Sequence, residues 1–387
     1  MCFFMVTLDI AMPLALFAVS MAALLLNERT EGKLKTTFEE RELRTRDIIL
    51  MVVMIVVAIS VIAYISILNP GQIFQNIILL VFVFAYSLLL FTFSYLFSGI
   101  KKPRAQLVSL GFAVAGLLAG TISLLEPFAD AFTFYRVLAF YGLAAFAISS
   151  IIVDARKADA RERWYVAVQP PVLFVLLFVF LNVIYNGAVV WYPVLLDVFA
   201  LTFAVLIILY LGSLFTWKTV LVFAVLLTIV DIILVIGTGS MIVAAQQFTG
   251  LGLPVLVYLP NVPLIEAPQG VLNFFGFLPR GLGLGDFFFG GIIALQTFKK
   301  FGKQAGYAAV VAMTISFAIF EAFLPEILNL LEPLLQREIG GFPGTLMIII
   351  GWLPVVAWKL LSERKQKQQD REIDQKIGNG VLPKQGA

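Results

Sequence analysis

Residues 48–68 read IILMVVMIVVAISVIAYISIL, 21 positions without a charge, a proline or a glycine. The run is continuously apolar, and its length matches the roughly 20 residues a helix needs to cross about 30 Å of hydrocarbon. Lipid offers the backbone no hydrogen-bonding partner, so such a run must satisfy its own N–H and C=O groups as a helix, and it lacks the alternation of a barrel strand. Working outward, comparable runs fall at 3–26, 73–98, 106–125, 133–153, 165–186, 190–213, 217–237, 284–298, 304–323 and 343–361. The chain therefore reads as an all-α, polytopic transmembrane helix bundle of about 9–11 spans. Its composition agrees, with 61% of 387 residues hydrophobic and only 13% charged.

The first run is expected to be retained as a helix, because no basic segment precedes it as in a signal peptide and positive charge follows it instead. Two later spans have softer starts: Gln169, Pro170 and Pro171 near one, and Asn186, Gly187 and an interface-type Trp191, Tyr192 and Pro193 near the next. All but three of the 27 basic residues fall in alternate loops and in the tail, the exceptions being Arg136, Arg280 and Arg337. The positive-inside rule then predicts a multi-pass cell-membrane protein with its N-terminus outside and its C-terminus cytoplasmic. The same rule places the proline-bearing connection 238–283 outside. That connection is a poor continuous helix yet strongly apolar, and is expected to rest on the membrane face or fold back over the bundle. Three regions result: N-terminal helices over 1–216, about seven spans; a core over 217–361; and a polar tail over 362–387, expected to fray into disorder.

Composition also restricts chemistry. With no histidine, the chain has no Ser-His or Cys-His dyad, no HExxH zinc site and no histidine proton relay. One cysteine, Cys2, excludes an intrachain disulfide and a cysteine-based metal cluster. The net charge of +3 is spread over short loops, so no nucleic-acid groove is expected. No metal and no cofactor are called for, and the lipid bilayer is the one general partner.

Acidic residues inside spans therefore carry the functional interest, since a charge in hydrocarbon costs about 3 kcal/mol or more. Asp9, Asp130 and Asp197 lie near span ends, where the interface is within reach, and Glu321 is expected to be a paired or interfacial group. Asp231 differs. In LLTIVDIILVIGTGSM, residues 226–241, no basic residue lies within a turn of it. Asp286 repeats the situation on the next span, in GLGLGDFFFGG, residues 281–291. Two carboxyls that approach closely cannot both ionise, so a pair shares one proton and holds an acid and a base together. Gly281, Gly283 and Gly285 allow close backbone packing and an accessible helix start beside Asp286.

At these residues the sequence resembles the presenilin and signal peptide peptidase family of intramembrane aspartyl proteases, archaeal members in particular. LGLGDFFF is similar to the family's GxGD motif, which implies that Asp286 is one catalytic aspartate, with Gly283, Leu284 and Gly285 as motif residues at the substrate. The family's Tyr-Asp pair corresponds to Val230 and Asp231, and GTGSM is similar to the continuation in archaeal relatives; the tyrosine is absent. GFPGTL is an approximate counterpart of the family's Pro-Ala-Leu, with Pro343, Gly344 and Thr345 in its place. The resemblance covers about residues 217–361, puts all three motifs on one membrane side, and implies a presenilin-like catalytic core. Family members usually have nine spans, so eleven would mean two extra N-terminal helices or an overcount.

The resemblance implies hydrolysis of peptide bonds in transmembrane-helix substrates or signal-peptide remnants, with no metal. The predicted topology is inverted relative to presenilin and similar to signal peptide peptidase. The alternative from the residues alone is a proton- or cation-coupled transporter in which the same two aspartates bind the ion beside broken helices, with Gly239 or Gly285 at the break. Prepilin peptidases also use GxGD-type aspartates, but Phe287 and Phe288 stand where a basic residue is expected. An inactive scaffold that binds membrane helices is the third reading.

Overall fold

The computed structural model of the protein describes residues 10–37, 42–68, 72–125, 130–156, 163–185, 191–260, 262, 264–266, 276–277, 279–335 and 341–378. The chain order is α1 (Ala11–Thr37), α2 (Thr45–Ile67), α3 (Gln72–Leu96), α4 (Lys102–Ile122), α5 (Thr133–Arg156), α6 (Trp164–Ile184), α7 (Trp191–Leu214), α8 (Trp217–Gly237) and α9 (Ser240–Gly250). It continues with β1 (Leu256–Pro260), β2 (Pro279–Gly283), α10 (Leu284–Phe301), α11 (Lys303–Ala322), α12 (Leu324–Leu335) and α13 (Gly344–Gly378). Among the described residues ten helices are long and apolar enough to cross a membrane, namely α1 to α8, α11 and α13. The protein is an all-α, multi-pass membrane helix bundle.

The eleventh expected span is α10, and it is not one of the ten. It carries Asp286, Lys299 and Lys300 within 18 residues, yet it forms the centre of the core. Phe287, Phe289, Ile292, Ile293, Ala294 and Leu295 on it are fully buried, and α1, α7, α8, α11 and α13 all pack against it. Its glycines permit this: a methyl on Gly290 would lie 3.3 Å from Leu16, and one on Gly291 would collide with Ile208. By contrast α2, the purely apolar run, buries only Ile48, Val52 and Ala63 and turns Leu50, Met54 and Ile67 outward. Lipid solvates an aliphatic side chain as well as protein does, so the interior goes to the helix with small and polar residues.

Ion pairs mark the two ends of the bundle. At one, Lys299 meets Glu31 at 3.0 Å and Lys303 meets Glu28 at 2.5 Å, while Leu43 N–H donates to Leu214 C=O at 2.9 Å. These pairs explain why α1 runs well past residue 26, where the apolar pattern ends. At the other end, the segment between α8 and α10 folds back over the helices. β1 and β2 pair antiparallel, with Leu256 opposite Gly283 and Tyr258 opposite Gly281. Three helices hold the approach to this hairpin: Trp191 Nε1–H donates to Gly252 C=O at 3.0 Å, Asn182 to Leu251 C=O at 2.8 Å, and Tyr86 OH to Pro254 C=O at 3.2 Å.

Several expectations change. Trp191 is not an interface residue; it is fully buried. Asp197 does not reach the interface either: it is 6% exposed and accepts the Tyr258 backbone N–H at 2.7 Å, tying β1 to α7. α13 runs on past the apolar stretch that ends at residue 361 and continues as a helix to Gly378. Cys2, Asp9, Asn186, Gly187, Arg337 and the tail beyond Gly378 lie outside the described residues.

Candidate functional site

Three chain breaks meet at the hairpin end of the bundle. Asp231 lies near the end of α8, which widens into a π-type turn over Ile233–Gly237 and stops at Gly239, a left-handed residue at φ +71°. Asp286 sits in the first turn of α10, because β2 stays extended through Gly283 (φ −64°, ψ 140°) before the helix starts at Leu284. Leu284 is buried, and its N–H donates to Val255 C=O at 2.7 Å, which locks the strand-to-helix change in place. The third break is Pro343, whose fixed φ and missing N–H suit the position just before α13.

The first two residues of α13 each touch one aspartate. Thr345 Oγ1–H donates to Asp231 Oδ2 at 2.6 Å, and its backbone N–H approaches the same oxygen at 3.3 Å. Gly344 lies against the other carboxyl: a methyl on it would stand 2.6 Å from Asp286 Cγ and Oδ1 and 2.8 Å from Oδ2. Gly283 gives a looser wall, with its added methyl 3.5 Å from Asp286 Oδ2. Asp286 also lies within electrostatic reach of Asp231 and Glu321. The free N–H groups and the dipole of a helix start favour negative charge, so the start of α13 suits a pair that carries one. Both aspartates are largely buried and keep some surface exposed.

Glu321, at the end of α11, is paired with Arg280 of β2, which confirms a partner for it. Gly281 brings β2 close to β1, since a methyl there would sit 3.0 Å from the Tyr258 ring. Burial holds the Tyr258 hydroxyl above its ordinary ionisation range, and that hydroxyl hydrogen-bonds Thr249. A methyl on Gly285 would lie 3.8 Å from Phe288, and Val230 packs partly buried against the core. The structure thus brings Asp231, Asp286, Gly283, Leu284, Pro343, Gly344 and Thr345 to one end of the bundle.

Sequence reasoning missed a second buried acidic cluster. Asp154, at the end of α5, accepts from Arg163 Nε at 2.6 Å and from Tyr165 OH at 2.7 Å. Arg163 also donates to Ile100 C=O at 2.6 Å, and Gln169 reaches Ser109 at 3.0 Å. Asp154 and Arg163 are nine residues apart, within the signal of a short charged loop, but nothing in the sequence says that they turn inward. No protein-family model and no curated protein matches the chain.

Proposed function

We propose that the protein is an intramembrane aspartyl protease of the presenilin and signal peptide peptidase type, with Asp231 and Asp286 as its catalytic pair. The observation that supports this is the contact of two aspartates, 55 positions apart in the chain, with the consecutive residues Gly344 and Thr345. One ionised carboxylate takes a proton from water as the water oxygen bonds to the scissile carbonyl carbon. The protonated partner donates to the carbonyl oxygen, and the C–N bond then breaks as the nitrogen receives a proton. The role of Thr345 is to orient Asp231; that of Gly344 is to leave room for the Asp286 carboxyl.

The substrate class is a transmembrane-helix peptide or signal-peptide remnant. Its amides are hidden in helical hydrogen bonds, so it must unwind, and the extended strand β2 or the segment at Pro343 can satisfy the freed groups by strand addition. The arrangement of basic residues puts the hairpin end outside and the C-terminus in the cytoplasm, which favours substrates whose N-terminus is cytoplasmic. Reversed accessibility of tags on the tail and on the 238–283 connection would overturn that orientation. The catalytic reading is tested by reconstituting the chain with a helical peptide and comparing it with Asp231→Ala and Asp286→Ala; cleavage that survives either change sinks it. The transporter reading draws on the break at Gly239 soon after Asp231, and proton-coupled flux lost in both variants would support it instead.

A further inference from the structure

Away from the aspartates, α4 and α6 leave an open groove of about 470 Å³ lined by Leu107, Val108, Gly111, Phe112, Ala115 and Leu173. Its α4 wall, from Leu107 to Ala115, is about 12 Å of helix at 1.5 Å per residue. That is most of one leaflet of a hydrocarbon core of about 30 Å. Gly111 lines the groove and is exposed, and a methyl there would meet no atom within 4 Å. At the head of the groove stand two cations. Arg104, Val108, Gly111 and Ala115 follow helical spacing on one face of α4, and Lys101 is the residue just before the helix. Both basic residues are exposed and in no ion pair among the described residues. Their neighbour Lys102 is engaged, donating to Ala155 C=O at 2.9 Å.

We infer that this face of α4 is a binding site for one anionic glycerophospholipid, its phosphate held by Lys101 and Arg104 and an acyl chain laid in the groove over Gly111. An apolar groove alone accepts any lipid chain. Two cations one turn above its end make it selective, because a basic residue near the membrane surface attracts an anionic headgroup and a pocket between helices fixes its position. The site lies with α4 and α6 and uses no residue of the aspartate pair, so it stands whether or not the chain is a protease.

Native mass spectrometry of the full chain, exchanged from detergent into equal amounts of phosphatidylglycerol and phosphatidylcholine with identical acyl chains, tests the assignment. One phosphatidylglycerol should be retained in preference by roughly thirtyfold, the factor two such cations supply. Lys101→Gln with Arg104→Gln should bring the two lipids to equal retention, whereas Arg104→Lys should keep most of the preference. Gly111→Leu, whose Cβ would meet no atom within 4 Å, should reduce retention of both lipids at least tenfold with an unchanged melting temperature. Should Gly111→Leu fold poorly, Gly111→Ala should reduce retention of both lipids measurably. Equal retention of both lipids by the unaltered chain overturns the inference, as does undiminished preference in the double variant or undiminished retention in the Gly111 variants.

Discussion

Asp154 and Asp286 are both carboxylates within a bundle of apolar helices, at opposite ends of it. Asp154 is 2% exposed and carries a guanidinium at 2.6 Å and a phenol at 2.7 Å. Asp286 is partly exposed, has no ion pair among the described residues, and faces a second aspartate, a third carboxylate and two glycines. The first arrangement fixes one carboxylate oxygen, Oδ1, with a cationic and a phenolic donor, while Oδ2 is buried without a hydrogen-bond partner. The second places two carboxyls together with no ion pair to either among the described residues. The contrast teaches that a buried acid in a membrane bundle is informative through its partners rather than through its depth.

The sharpest way to break this contrast is to remove the open acids. Asp231→Ala or Asp286→Ala is expected to lower cleavage of a reconstituted helical peptide by at least about a thousandfold, since the proposed mechanism requires both an acid and a base. Asp154→Asn, measured in the same assay per folded molecule, should stay within about threefold, because the cluster touches neither aspartate. Next in size, Arg163→Leu strands the Asp154 charge in a buried site and should cost about 3 kcal/mol of stability, read as a fall in melting temperature. An unaltered melting temperature would mean that the cluster is not the closed site described.

Smaller changes sharpen the open site. Gly344→Val places methyl groups where the Asp286 carboxyl lies, so it should lower kcat by about a hundredfold with little change in KM, the usual scale for a displacement of about 1 Å. Parental kcat would detach Gly344 from the reaction. The smallest effect concerns the hairpin. Burial raises the Tyr258 ionisation in the fold, so the folded chain keeps a proton that the unfolded chain loses near pH 10. The stability from this group is complete below about pH 10 and is lost as pH rises through the folded value. Tyr258→Phe should therefore reduce the drop in melting temperature between pH 9 and pH 11, by less than about 1 kcal/mol in stability.

The spans were legible from residues such as 48–68 because crossing hydrocarbon is a local requirement on length and polarity, met or failed by each segment alone. Asp231 and Asp286 stood out for a similar reason: each is an acid in an apolar run. Less was legible for Asp197, whose nearness to a span end suggested the interface, while its partner, the Tyr258 N–H, lies 61 positions away. Trp191 misled in the same way. An aromatic residue at a span boundary can face lipid headgroups or the backbone of a folded-back connection, and only the path of that connection decides between them.

By itself the sequence determined a many-helix membrane protein, the glycine-aspartate start of α10, and the chemistry that a chain without histidine must do without. Only the tertiary structure decided that α10, with charges at both ends, is the centre of the bundle, and that Gly344 and Thr345 each meet a different aspartate. The physical reason is the reach of each interaction. Hydrophobic length acts within one segment, whereas a hydrogen bond such as that of Thr345 to Asp231 spans 114 positions and exists only once the helices have packed.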